Sequence, residues 1–234
     1  MEIFLSEFFG SFILLLLGAG VVANVILKGT KGNSSGWIVI CLGWGMAVFL
    51  GVIVSSKSGS HINPAVSLAM LLLGKLTATD FFIYVLAQIS GAFLGASMVW
   101  LMHKDHFEAT DSEGIKLAVF STGPEIRNIP LNLLSEVLGT FALISAVLFI
   151  PAASDENGAL NALPIALVVV GIGLSLGGTT GWAINPARDL GPRIAHALLP
   201  IKAKGTSDWP YSWVPIVGPL TGSALAVLVF HILA

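Results

Sequence analysis

The chain of 234 residues has very few charges: 10% of its residues are Asp, Glu, Lys or Arg, whereas 55% are hydrophobic. A soluble domain has about 25% charged residues. The formal net charge of −2 lacks the basic surplus that nucleic-acid binding needs. A single cysteine, Cys41, excludes an internal disulfide and is expected to pack inside a helix. These scarcities indicate an apolar environment and no nucleic-acid partner.

The few charges are also unevenly distributed. Uncharged runs cover 8–27, 32–56, 81–102, 137–154, 157–187 and 209–234. Each is at or near the length of about 20 apolar residues that crosses a bilayer. The alternating segments of about 10 residues that a membrane β-barrel would show are absent. The sequence therefore predicts an all-α, multi-pass membrane protein whose first run is a retained helix, not a signal peptide.

Two further apolar runs are too short to cross a membrane. Six full helices are predicted at about 3–27, 36–55, 80–102, 131–150, 160–177 and 210–234. The short runs are 63–74 and 186–199. A helix as long as the first rises ~18 Å, against a hydrocarbon core of ~30 Å, so each is predicted to enter the membrane and stop halfway. The turn-rich stretch 154–158 should lead into the fifth helix, and loop 103–130 is expected to be solvated.

The two halves of the chain resemble each other. Residues 5–12 read LSEFFGSF and residues 134–141 read LSEVLGTF, and Gly91–Gly95 has a weaker counterpart in Gly218–Gly222. Each half contains three crossings, an odd number, so the second half must be inverted relative to the first. We therefore predict one membrane channel domain over 1–234, with inverted repeats at about 1–102 and 131–234 joined by loop 103–130.

An Asn-Pro-Ala triplet begins each short run. Asn is a good helix N-cap and Pro suits the first helical position. Two such caps from inverted halves would meet head to head, each bringing an amide donor and the positive end of a helix dipole, about half a charge. Irregular backbone such as 178–184 is tolerated at that depth only when it is buried or lines a wet cavity. Donors, acceptors and positive potential together favour a neutral solute and repel cations and protons.

The chain resembles the aquaporin and glycerol facilitator family over essentially its whole length. The resemblance rests on two triplets (Asn63, Pro64 and Ala65; Asn185, Pro186 and Ala187), on His61, on Arg188, and on the paired Glu7 and Glu136. It implies an hourglass fold of six transmembrane helices and two re-entrant half-helices. It also implies a homotetramer in the lipid bilayer of the plasma membrane, with one pore per subunit, both termini cytoplasmic and loop 103–130 extracellular.

The resemblance also implies roles for these residues. Asn63 and Asn185 would orient the solute at the centre, and Arg188 would form part of a narrow outer filter. His61 and Asp189 would support the pore. Buried Glu7 and Glu136 would hold the loops before the half-helices by accepting backbone N–H bonds. A proton relay through the two carboxylates is the alternative.

Several positions resemble the glycerol (aquaglyceroporin) type of the family. Its filter pairs Trp and Phe with Arg, and has Gly where strict water channels have His. Gly173 stands at the Gly position, and Trp182 stands where the Phe is usual. Trp44 fits the filter Trp only if one residue is deleted in 55–60, because it lies 19 positions before Asn63. The alternative for Trp44 is an interfacial belt residue, the role expected for Trp37, Trp209 and Trp213.

The function predicted from the resemblance is passive passage of glycerol, related polyols and water, with exclusion of ions and protons. Trp182 could narrow the filter, and Gly123, which replaces a usual Tyr, could widen the entrance. These departures keep open another small neutral solute, such as undissociated lactic acid, dihydroxyacetone or urea. An ion-coupled carrier is a remoter alternative.

No enzyme, metal or cofactor is predicted. No nucleophile and base stand at a workable spacing outside the two triplets. Four histidines lack metal-ligand spacing and are expected at the surface or at helix ends: His103, His106, His196 and His231.

The charge distribution disagrees with the orientation that the family implies. With cytoplasmic termini, only Lys57 and Lys75 lie on the inner side, and the other Lys and Arg residues lie outside. The positive-inside rule favours the opposite orientation. The whole-chain resemblance is the stronger evidence, and we expect cytoplasmic termini.

Overall fold

The computed structural model describes residues 1–151 and 155–234, and all regular secondary structure in that part is helical. Ten α-helices follow one another: α1 Glu2–Ile26, α2 Trp37–Val54, α3 Pro64–Leu72, α4 Ala78–Met102, α5 Lys104–Ala109, α6 Glu113–Phe120, α7 Ile129–Phe149, α8 Leu163–Ser175, α9 Pro186–Leu198 and α10 Val214–Leu233. Six of the helical segments are long and apolar enough to cross a membrane. The chain is therefore a multi-pass membrane protein, as its composition predicts.

The two predicted half-helices are confirmed as α3 and α9. They contain 9 and 13 residues, which corresponds to rises of only about 14 and 20 Å. Each begins with its Pro, directly after an Asn whose side chain accepts backbone N–H bonds. Asn63 accepts from Ala65, and Asn185 accepts from Ala187 and Arg188. The caps explain why both helices begin in the middle of an otherwise apolar chain.

Close helix pairs build each repeat, and the half-helices join the repeats. Helix α1 packs along α4, and α7 packs along α10. A Cβ on Gly91 would collide with the Phe8 carbonyl, and one on Gly222 with the Val137 carbonyl, so glycine lets both pairs approach at equivalent places. Gly91 therefore corresponds to Gly222, one helical turn away from the counterpart that the sequence comparison gives it. Half-helix α9 packs mainly on α4, and α3 mainly on α10. Each half-helix thus lies against the last crossing helix of the other repeat.

Loop 103–130 is mostly exposed, as predicted, but it is not simply solvated. It folds into α5 and α6, and their buried side chains include Phe107, Lys116 and Phe120. The buried Lys116 ammonium donates to the carbonyls of Lys202 and Ala203, at 2.7 and 3.2 Å. A buried cation is stable there because these carbonyls replace its water.

The fifth crossing begins differently from the prediction. Asp155–Ala162 forms irregular 3-10 turns around Gly158, whose φ is 51°, and regular helix starts at Leu163. Ser154, at the start of the predicted turn 154–158, lies outside the described residues. The first half-helix ends at Leu72, two residues before the predicted end, because Gly74 takes a left-handed conformation with φ of 69°.

Candidate solute pathway

The two Asn side chains meet where the half-helices face each other. Asn63 Nδ2 donates to the Ile184 carbonyl, and Asn185 Nδ2 donates to the Ile62 carbonyl, both at 2.8 Å. Each side-chain oxygen caps its own helix. A primary amide has two N–H donors, so one on each Asn is free of these bonds. Both residues line a cavity of about 840 Å³ and can present this donor to a solute.

Two buried carboxylates hold the loops that precede the half-helices. Glu7 accepts from the backbone N–H groups of His61 and Ile62, at 2.9 and 2.7 Å. Glu136 accepts from those of Ala183 and Ile184, at 3.0 and 2.9 Å. Each carboxylate thus binds the backbone N–H groups of the two residues that precede an Asn cap. This engagement matches the loop-holding role better than a relay, which would need a partner that takes the proton onward.

Side-chain donors complete both carboxylate sites. Ser58 Oγ and Gln88 Nε2 donate to Glu7, at 2.5 and 2.7 Å, and Thr180 Oγ1 donates to Glu136 at 2.7 Å. An ionised carboxylate only accepts hydrogen bonds, so a surrounding made of donors suits it.

The same loops carry strained backbone at matching positions. Ser60 and Ile62 have φ of 56° and 43°, and Trp182 and Ile184 have φ of 36° and 42°. These residues stand one and three positions before each Asn. The left-handed region is unfavourable for such side chains and costs about 1–3 kcal/mol per residue. Hydrogen bonds to Glu7 and Glu136 offset part of this cost, and the strained segments line the cavity.

A guanidinium and an indole contact each other in the cavity lining, to which a second indole also belongs. The Arg188 Cζ atom lies 4.1 Å from the centroid of the Trp44 ring, which is cation–π distance. Arg188 Nη1 donates to the Phe120 carbonyl at 3.3 Å. Trp44 and Trp182 are 5% and 6% exposed, and all three side chains line the cavity. Trp44 is therefore a cavity residue and not an interfacial belt residue.

Gly173 provides room for the second indole. A Cβ on Gly173 would lie 2.8 Å from Trp182 Cζ2, and a Cβ on Gly177, one turn later, would collide with Trp182 Cε3. The Trp182 ring therefore packs directly on α8 and the turn after it, and Gly173 lies behind that ring. The glycine acts through the indole that covers it.

Asp189 anchors the segment that carries Arg188. Its carboxylate accepts from the backbone N–H and the hydroxyl of Thr122, at 2.8 and 2.7 Å, and from Arg193 Nε at 2.8 Å. Arg193 is fully buried and donates to the Thr122 carbonyl at 2.9 Å. Asp189 and Arg193 thus tie the start of α9 to the loop after α6. Beside Thr122, a Cβ on Gly123 would meet nothing within 4 Å, so this residue leaves space at the loop.

Much of the remaining cavity lining is apolar. Its hydrocarbon side chains include Leu14, Val48, Val52, Leu143, Val147 and Val169. A solute in the cavity therefore meets both hydrogen-bonding groups and hydrocarbon. Such a surface suits a molecule with hydroxyls along one edge and carbons along the other.

Comparison with known proteins agrees with this geometry. Residues 1–230 match the profile of the family described as Major intrinsic protein. The chain belongs to the major intrinsic protein family. It is 54% identical over 228 residues to a glycerol uptake facilitator protein of Streptococcus pneumoniae (strain ATCC BAA-255 / R6), covering 97% of both chains. It is 38% identical over 231 residues to the D/L-lactic acid transporter of Lactiplantibacillus plantarum, covering 97% of this chain and 95% of that one.

A solved structure gives the same result for the fold. The aquaglyceroporin from Plasmodium falciparum matches with a TM-score of 0.84 and 33% sequence identity, covering 98% of this chain and 94% of that one. The expected hourglass of six crossing helices and two half-helices is thus confirmed. Of the residues predicted for the pore, this major intrinsic protein places six in the cavity lining: Trp44, His61, Asn63, Trp182, Asn185 and Arg188.

Two histidines of this family member, His61 and His196, have well-defined hydrogen-bond partners. His61 lines the cavity, its Nδ1 lies 3.0 Å from Ser67 Oγ, and its ring packs on Tyr84. His196 lies in the last turn of α9, as expected for a helix-end residue, but it is fully buried, with Nδ1 2.9 Å from Ser207 Oγ. No group of three or more possible metal ligands occurs among the described residues.

Two residues near the filter have no sequence signal that marks them. A Cβ on Gly18 of α1 would collide with the Trp44 ring, so this glycine makes room for that indole. Trp37, predicted as a belt residue, contacts Trp182 and donates to the Gly173 carbonyl. Its residue type and its position at the start of a crossing helix match those of an interfacial Trp. Only its contact with Trp182 shows that it also packs beside the cavity.

Proposed function

We propose that this chain is a passive channel for glycerol and other small uncharged solutes, with Trp44, Gly173, Trp182 and Arg188 as its selectivity filter. The observation that carries the proposal is the contact between Arg188 and Trp44, in one cavity with Trp182 and the paired Asn amides. Glycerol uptake facilitators that share half or more of its residues support the same function.

The filter chemistry suits a polyol. The two indoles offer a surface to the carbon edge, while Arg188 offers N–H donors to successive hydroxyls. Further along, the free N–H groups of Asn63 and Asn185 replace part of the solute's water. Water and polyols can make these bonds without a charge.

Cations and protons are excluded by the same parts. Arg188 is a fixed positive charge in the proposed filter, and the N-termini of α3 and α9 each bring about half a positive charge to the paired Asn residues. A cation that entered would lose its water and gain repulsion. We propose that Asn63, Pro64 and Ala65 and their counterparts Asn185, Pro186 and Ala187 form this central barrier.

Swelling of reconstituted vesicles tests the function. Vesicles that contain the purified protein should swell faster in a glycerol gradient than protein-free vesicles, while a pH-sensitive dye inside them should report no added proton leak. Equal swelling rates in the two preparations would reject glycerol conduction. Accumulation of glycerol against its gradient would instead indicate an ion-coupled carrier.

Undissociated lactic acid is a second candidate solute. A relative named D/L-lactic acid transporter is 38% identical, and Gly123 leaves open space beside the loop after α6. If lactic acid crosses, vesicles at acidic pH should acidify internally faster with the protein than without it. Identical acidification would remove lactic acid as a solute.

Assembly and orientation follow from the family. We propose a homotetramer in the plasma membrane, with each subunit a single channel domain, with both termini cytoplasmic and with loop 103–130 outside. Protease added to intact cells should then cleave near the exposed Ile126, which is 79% accessible. Cleavage only after the cells are opened would reverse the orientation.

A further inference from the structure

Trp37, the first residue of α2, touches the filter from behind. Its ring meets the Trp182 ring edge-on, with centroids 4.8 Å apart and an interplanar angle of 76°. Its Nε1 donates to the Gly173 carbonyl at 3.1 Å. That carbonyl belongs to the last turn of α8, where C=O groups lack partners within the helix. The hydrogen bond therefore fixes the Trp37 indole to the same glycine on which Trp182 packs.

Residues outside the cavity lining pack against the Trp182 ring. Gly173 and Gly177 form the floor under it, and Trp37 closes an edge. An edge-to-face pair contributes about 0.5–1.5 kcal/mol beyond the area that it buries, and its strength depends on the angle between the rings. Trp37 therefore favours one orientation of Trp182 and occupies the space into which that ring could otherwise move.

We propose that Trp37 is a positioning residue for solute specificity: it holds the Trp182 ring in the cavity that Arg188 and Trp44 also line, and so limits the width of the filter. This inference rests on the proposed glycerol conduction. Without the Trp37 ring, Trp182 can move back into the vacated space, and the filter widens. The permeability of longer polyols then rises more than that of glycerol, because the narrower filter excludes the longer polyols.

Polyol permeabilities measured side by side test this role. Vesicles with wild-type protein, Trp37→Ala or Trp37→Phe are mixed with glycerol or with the four-carbon polyol erythritol, and swelling is followed by stopped-flow light scattering. We expect Trp37→Ala to raise the erythritol-to-glycerol ratio by about two- to tenfold. Trp37→Phe keeps a ring but loses the hydrogen bond, so its ratio should fall between the other two.

A matched control separates positioning from general loss of an indole. Trp209 is 45% exposed and Trp37 is 40% exposed, and Trp209 lies outside the cavity lining. Trp209→Ala should keep the wild-type ratio. In a Trp182→Ala background, Trp37→Ala should add no further change, because it acts through the ring that is missing.

The possible outcomes are distinct. An unchanged ratio in Trp37→Ala, or an equal rise in Trp209→Ala, would overturn the positioning role while glycerol conduction stands. A parallel fall of both permeabilities would also overturn it, since that result means only that less protein folds. If Trp37→Ala yields no folded protein, the ratio in Trp37→Phe decides. Wild-type vesicles that conduct glycerol no faster than protein-free ones would reject the proposed function itself.

Discussion

Replacing Glu136 with Gln changes one atom and tests what the buried carboxylates do. Three donors point at this carboxylate: Thr180 Oγ1 and the backbone N–H groups of Ala183 and Ile184. A Gln amide has one acceptor oxygen and one NH2 group. If the Gln oxygen accepts from the Ala183 N–H, the NH2 group faces the Ile184 N–H. In the reverse orientation the oxygen accepts from Ile184, and the NH2 group faces the Ala183 N–H.

The cost follows from this count. The Thr180 hydroxyl can rotate to accept from the new NH2 group, but a backbone N–H cannot. One buried backbone donor is therefore left without an acceptor in either orientation, which costs about 1–3 kcal/mol. In the native loop conformation Trp182 and Ile184 are left-handed. The population of this conformation would fall by about 5- to 150-fold relative to competing conformations.

Two measurements on Glu136→Gln distinguish the structural role from a relay. We expect a lower thermal midpoint in detergent and a similar loss of water and glycerol permeability per reconstituted protein. The pH dependence of glycerol flux should stay as in the wild type. Wild-type stability together with a pH dependence that disappears would refute the structural reasoning and favour a proton relay. Glu7→Gln should behave alike, because the N–H groups of His61 and Ile62 are held in the same way.

Three further substitutions test the filter by stopped-flow swelling and ion leak. Arg188→Val should raise cation leak more than tenfold, since like-charge repulsion of several kcal/mol is removed; an unchanged leak would contradict this. Trp182→Phe should raise the glycerol-to-water ratio by about two- to tenfold, because the smaller ring leaves part of its space empty; an equal ratio would show mere packing. Gly177→Ala should push the Trp182 ring towards the cavity at a strain of about 1–3 kcal/mol and reduce glycerol flux more than water flux; parallel changes would refute that.

Much of the fold could be predicted because membrane physics leaves few solutions. A short run capped by Asn and Pro cannot cross a bilayer, so 63–74 and 186–199 had to be half-helices. Paired LSE segments in halves of three crossings required an inverted arrangement. The loop 103–130 was harder, since its polar composition hides apolar positions. Phe120 is buried on α6, which packs against α1 and α9, and the Phe107 ring of α5 contacts it.

The members of the proposed filter stand out in the sequence, but the residues that support them do not. Arg188 follows its triplet directly, so its place depends only on a local helix start. Trp44 depended on where a residue is missing in 55–60, which the sequence alone leaves open. Trp37 is a Trp near a helix end, as an interfacial residue would be, and the neighbouring sequence does not distinguish it from Trp209. Its role depends on a contact between residues 136 positions apart in the chain.

The glycines behind the indoles explain how this filter can contain two large rings. Each ring takes its room from a neighbouring element: Trp44 packs on Gly18 of α1, and Trp182 packs on Gly173 and Gly177. A methyl group added at any of these glycines would lie within 3.0 Å of an indole atom, so the ring or the helix behind it must shift. The width of the proposed filter is therefore expected to depend on glycine and indole together. A comparison of channels of this family by their cavity-lining side chains alone would miss these glycines.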